Sequence, residues 1–232
     1  MNHLRTVTRL RTLARDLGLI RALDPLRALL SRGYEARFGR ALLGAVRPGD
    51  TVWDVGANVG LYTEQFAAAA GRFGAVVAFE PTPACFGALE ARCGQLPGTQ
   101  LRQEALGATD GLVPIALADD PLGATHSLVG GGGSPDATVE VRLATGDGLV
   151  ARGEVPPPTV VKIDVEGFEA EVVAGMASVL ARPACRAVFI EVHFALLAQK
   201  GTPDAPAELV ATLRGLGFRV RWLDPSHLEA RR

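Results

Sequence analysis

The sequence predicts an α/β domain: a central, mostly parallel sheet with helices on both faces, preceded by a helical extension. Three features carry that expectation. From Pro48 onward, short β-rich runs alternate with helical patterns, which implies crossover units and a parallel sheet. A glycine loop, Gly56-Ala-Asn-Val-Gly60, directly follows the first of those runs and leads into a helix. Residues 160–164 read as a strand buried at the centre of the sheet. The extension is placed at residues 1–46 and the domain at 47–232. A chain of 232 residues can bury a substantial core in one such domain, and it contains no internal repeat.

In the extension, Leu4, Val7, Leu10, Leu13, Leu17 and Ile20 recur at three- and four-residue spacing with arginines between them, a helical pattern over about 3–32. Asp24-Pro25 divides it into two pieces. Its apolar stripe suits packing on the main domain or on a second copy, as in a homodimer. The alternative is peripheral contact of a basic helix with an anionic membrane surface. The main domain then reads as strand Thr51–Val55, helix Leu61–Ala70, strand Ala75–Phe79 and helix Pro83–Cys93. Strands are expected next at 101–105, 112–117 and 139–143, the last two as a hairpin around a flexible loop at 119–136 that holds Gly130-Gly-Gly-Gly133. Strand 160–164, helix 168–180, strand 187–192, helix 205–216 and a last strand at 218–222 complete the pattern before a charged, proline-bearing tail.

Apolar residues make up 48% of the chain and charged residues 21%, as in ordinary soluble globular proteins. A net charge of −1 provides no global field to recruit nucleic acid. The cations are almost all arginine, Lys162 and Lys200 being the lysines. Cys85, Cys93 and Cys185 form no Cys-x-x-Cys pair. On one helix, Cys85 and Cys93 would lie about 12 Å apart, too far for a disulfide, so a reducing cytoplasm is expected. No apolar run reaches the roughly eighteen residues of a transmembrane segment. Arg5, Arg9, Arg11 and Arg15 interrupt what a signal peptide would need uninterrupted.

In open parallel sheets, ligands bind outside the C-terminal strand ends where strand order reverses. Asp54 ends the first strand, and the loop from Gly56 through Asn58 to Gly60 offers a tight turn and close backbone approach. The helix start beyond it suits a carboxylate. Twenty-four residues past Gly56, the second strand ends in Phe79-Glu80-Pro81, and Glu80 there can accept hydrogen bonds from both hydroxyls of a ribose. A nicotinamide dinucleotide is the competing ligand. Its loop pattern is Gly-x-Gly-x-x-Gly, which this loop does not match. Asp54, expected to face the ligand, would repel a pyrophosphate but suit the sulfonium and ammonium of S-adenosylmethionine. The methyl donor is the expected cofactor.

Asp54-Val-Gly-Ala-Asn-Val-Gly60, Phe79-Glu80-Pro81 and Val161-Lys-Ile-Asp-Val-Glu-Gly167, in that order, resemble the FkbM family of methyltransferases. Ala105-Leu-Gly107 and Phe189-Ile-Glu-Val-His193 extend the resemblance, which covers about residues 47–193. It implies a Rossmann-like class I methyltransferase fold and transfer from S-adenosylmethionine, usually to a hydroxyl on a sugar, glycan or natural product. Ala105 joins the implied cofactor residues Asp54, Gly56, Asn58, Gly60, Glu80 and Asp164. The chain departs from the pattern in two places. Thr145-Gly146-Asp147 stands where Leu-Asp is common, and only the strand at 218–222 precedes the tail, so either the sheet is a strand short or a strand comes from elsewhere.

Methyl transfer to a hydroxyl needs collinear placement and a group to take the proton. Asp164 and Glu166, at the end of the central strand, share a face if the strand continues. Asp164 is expected to border the sulfonium or act as base, and Glu166 to contact cofactor or acceptor. The bland alternative is that one of them caps the helix starting near Gly167. His193 is the leading histidine base, His126 on the flexible loop a weaker one. Asp164, Glu191 and His193 could gather a divalent ion, but without a closely spaced ligand pair no metal is expected. Asp164-Val-Glu-Gly167 also lacks the proline and aromatic ring typical of nucleic-acid amino methyltransferases, so a small-molecule or saccharide acceptor is expected. The competing readings are an NAD-dependent oxidoreductase and a non-catalytic cofactor-binding subunit.

Overall fold

The computed structural model describes residues 36–116, 127–128 and 138–232. The expected helix at 3–32, His126 and Gly130–Gly133 lie outside those residues. The chain divides into two compact units after Arg40, and the second, Ala41–Arg232, contains the described strands.

Its elements in chain order are β1 (Thr51–Val55), α1 (Leu61–Ala70), β2 (Ala75–Phe79), α2 (Pro83–Cys93), β3 (Thr99–Arg102), β4 (Ala105–Leu106), β5 (Gly111–Ala116), β6 (Ser127–Leu128) and β7 (Thr138–Ala144). Then come α3 (Gly146–Ala151), β8 (Val160–Ile163), α4 (Glu169–Gly175), α5 (Ala177–Ala181), β9 (Ala187–Glu191), α6 (Phe194–Gln199), α7 (Ala205–Gly215), β10 (Arg219–Trp222) and β11 (His227–Arg231). A seven-stranded sheet runs β10-β11-β9-β8-β1-β2-β3, and a smaller sheet runs β4-β7-β5-β6. In the large sheet only the β11 pairings are antiparallel. The expected α/β architecture, a mostly parallel sheet flanked by helices, is the one observed.

β8 is buried at all four positions, as a strand covered on both faces must be. Trp53 on β1 anchors the core. Its ring meets Phe79 edge-on at 5.3 Å between centroids, and its indole N–H donates to the Pro156 carbonyl at 3.0 Å. Each such large side chain removed from water contributes about 1.5–3 kcal/mol.

Three expectations need correction. The strand at 101–105 is two strands in different sheets, β3 and β4. Between them Glu104, almost fully buried, pairs with Arg102 at 2.5 Å and Arg142 at 3.2 Å, which turns the chain from one sheet to the other. The single helix at 168–180 is α4 and α5, broken at Met176. Asp147 causes part of that break, because its carboxylate accepts the Ser178 and Val179 N–H groups at 2.9 and 2.8 Å and so caps the second piece. Gly175, at the end of α4, lets the Gly107 backbone approach closely, because a Cβ there would lie 1.8 Å from the Gly107 carbonyl oxygen. The sheet is also not a strand short. Residues read as a charged tail form β11, inserted antiparallel between β9 and β10. Asp224 makes the turn by accepting the Ser226 and His227 N–H groups, and Glu229, buried, is flanked by Arg221 and Arg231.

Candidate active site

A cavity of about 270 Å³ opens at the C-terminal ends of β1, β2, β8 and β9, where strand order reverses. The β1 loop is shaped by left-handed backbone at Gly56, Asn58 and Gly60 (φ 77°, 49° and 84°). A Cβ on Gly56 would sit 1.9 Å from the Asp164 carbonyl oxygen, so only glycine lets this loop touch the end of β8. The Gly56 and Ala57 N–H groups donate to the Phe79 carbonyl at 3.0 Å each. Glu80 completes the junction. Its carboxylate accepts the Asn58 N–H at 2.9 Å, the Thr82 N–H at 2.9 Å and the Thr82 hydroxyl at 2.6 Å, and it lines the cavity.

Of the residues expected to bind the cofactor, Gly56, Asn58, Glu80, Ala105 and Asp164 line this cavity. Asp54 and Gly60 do not. Gly60 packs against Leu89 and Cys93, beneath the helix start. Asp54 is fully buried rather than facing a ligand. It accepts the Thr63 hydroxyl at 2.7 Å and lies 3.1 Å from the Lys162 Nζ. Lys162 also donates to the Gly56 carbonyl at 3.0 Å and lies 3.5 Å from Asp164. Burial alone would lower its pKa, but Asp54 and Asp164 outweigh that and raise it, so it stays charged. The negative charge of Asp54 therefore serves to hold a cation under the glycine loop. Sequence reading missed Lys162, although a lysine inside an apolar strand was a visible signal.

Asp164, Glu166 and His193, the catalytic candidates, all line the cavity, as does Glu191. The strand does not continue through Glu166. β8 stops at Ile163, and Glu166 and Gly167 both take positive φ (51° and 89°) in a turn. The N-cap position of the next helix is Phe168 rather than either acid. His193 is held on two sides. Its Nδ1 lies 2.8 Å from Glu169 Oε1, and its Nε2 lies 3.7 Å from Asp164 Oδ1. Burial would lower its pKa, but the Glu169 hydrogen bond and the charges of Asp164, Glu169 and Glu191 raise it to about 9. His193 is thus a cation at neutral pH, which is not the state of a proton acceptor. His227 is buried between Glu191 at 3.4 Å and Asp224 at 2.8 Å. Its hydrogen bond, against the effect of burial, holds the Glu191 carboxyl below its usual range.

One oxygen or nitrogen each from Asp164, Glu191 and His193 lie within 4.8 Å of one another, so the three residues named from the sequence are close enough to hold one ion. The same carboxylates already face the cations Lys162, His193 and His227. Cys85, Cys93 and Cys185 are buried and free, and no described helix is long and apolar enough to cross a membrane.

The model of the FkbM methyltransferase domain matches residues 54–220. The chain belongs to the FkbM methyltransferase family. Relatives include the hexuronic acid methyltransferase AglP of Haloferax volcanii, 35% identical over 66% of this chain and 60% of the relative. The 31-O-demethyl-FK506 methyltransferase FkbM of Streptomyces tacrolimicus is 31% identical over 75% of each. The chain thus spans only about three fifths of the first relative's length. A likeness of fold comes from a Streptococcus mutans protein, a methyltransferase by its description, solved in complex with SAH. It covers 88% of this chain and 96% of that one at a TM-score of 0.50, and at 12% identity it supports the fold alone. In the present chain the family's glycine loop, Glu80 and Asp164 meet in one cavity.

Proposed function

We propose that this chain transfers a methyl group from S-adenosylmethionine to a hydroxyl on a saccharide or secondary metabolite. The observation that carries the reading is the convergence of Glu80 and Asp164 on one cavity at the switch point. The lining suits the donor: Glu80 presents a carboxylate for ribose hydroxyls, and the acidic wall suits a cation. Both relatives carry the name methyltransferase, one acting on a hexuronic acid and one on a 31-O-demethyl product, which supports an oxygen acceptor.

Bound S-adenosylmethionine supplies an electrophilic methyl on a sulfonium, and transfer breaks that S–C bond while forming an O–C bond to the acceptor. The residues here bind and orient. Gly56, Asn58, Glu80 and Ala105 hold the donor, and Lys162 fixes the loop beneath it. Asp164 takes the proton of the acceptor hydroxyl. Glu166 contacts the acceptor from the turn after β8. His193, a cation, faces Asp164 across 3.7 Å rather than acting as base. Incubation with methyl-labelled donor and a panel of glycosides tests the reading. Label appearing as an acid- and base-stable ether is expected, and label recovered only as donor contradicts it.

A further inference from the structure

The charge of the cavity bears on the acceptor in a way the relatives' names do not. Its lining includes the carboxylates of Glu80, Glu104, Asp164, Glu166 and Glu191, with His193 as a cation between them. Among the described residues, no lysine or arginine lines it. Lys162, Arg102 and His227 stand behind Asp164, Glu104 and Glu191, and Arg142 reaches Glu104 from outside the lining. Lys200 is engaged by the Gly167 carbonyl at 2.6 Å and the face of Phe168. Nothing in the described lining resembles the guanidinium fork that recognises a carboxylate.

We infer that the acceptor is an uncharged polyhydroxylated ring, and that the cavity rejects the corresponding sugar acid. Asp164 and Glu191, close enough to share one small site, accept hydrogen bonds from neighbouring hydroxyls of such a ring. A carboxylate on the same ring meets like charge, and the one cation in the described lining, His193, is already engaged by Glu169 and faces Asp164. The inference rests on the methyl-transfer reading and departs from the acceptor named for the 35%-identical hexuronic acid methyltransferase.

The test uses the intact protein with S-adenosylmethionine and matched pairs of methyl hexosides and methyl hexuronides of the gluco, galacto and manno series, at neutral pH and low ionic strength. Calorimetry with S-adenosylhomocysteine runs beside it. The neutral member of a pair should be methylated with kcat/KM at least about tenfold above its uronide. Higher salt or Glu191→Gln should narrow that gap, chiefly through the uronide's KM. Parity, preference for uronides, or no transfer to any neutral hexoside overturns the inference, while binding of S-adenosylhomocysteine leaves the donor site standing. A gap that neither salt nor Glu191→Gln alters assigns the discrimination to shape and also overturns it. Absence of S-adenosylhomocysteine binding removes the methyl-transfer reading and this inference with it.

Discussion

His193 Nδ1 lies 2.8 Å from the Glu169 carboxylate, and Glu169 is 1% exposed. A buried acid at that distance fixes the ring and holds its proton, which leaves Nε2 directed toward Asp164. A pH dependence results. The His193 pKa rises from 6.5 to about 9 on folding, so its contribution to stability is fully present below about 6.5 and is lost as pH rises through about 9. Turnover should be level near neutrality and fall on the same alkaline limb as the proton leaves. A rate that instead climbs through pH 9 to a plateau would make His193 the base.

Asp164→Asn keeps the shape and removes the charge. Turnover should fall by about 10²–10⁴-fold, the scale of a lost general base, with S-adenosylhomocysteine affinity little changed. Affinity collapsing with turnover would place Asp164 in the donor site only.

Lys162 is buried against Asp54 and under the Gly56 carbonyl. Lys162→Met leaves Asp54 as a buried charge without its cation and should cost about 3–5 kcal/mol in chemical denaturation. The double variant Asp54→Asn with Lys162→Met should recover part of that loss. A single variant as stable as the parent would remove the pair from the loop's support.

The three-residue group of Asp164, Glu191 and His193 makes metal dependence a direct question. Because Lys162, His193 and His227 already occupy one side of those carboxylates, exhaustive EDTA treatment should leave the initial rate within about twofold. Loss of activity restored by magnesium would show that the group binds an ion.

Most of the sheet was legible because its strands carry the simplest signal, short apolar runs set between helical periods. Thr51–Val55 and Ala75–Phe79 fall at the expected positions for that reason. β11 was hidden because Glu229 and Arg231 look like a solvated tail, and only the tertiary pairing with Arg221 shows the acid to be buried. Glu169 was hidden for a similar reason. An acid in a helix's first turn is ordinary, and its contact with His193 spans 24 residues. The glycine loop was read as a close backbone approach to a ligand, whereas the partner it approaches in the fold is the Asp164 backbone, at a strand end about a hundred residues later that no local pattern announces.

Donor binding tests the central claim most directly. Calorimetric titration of the protein with S-adenosylhomocysteine and, separately, with NAD compares the two cofactors that a glycine loop and a distal acid can serve. Saturable binding of S-adenosylhomocysteine at micromolar strength is expected, weakened by about 1.5–3 kcal/mol in Glu80→Ala, with no saturable heat for NAD. Tight NAD binding with no response to S-adenosylhomocysteine would contradict it.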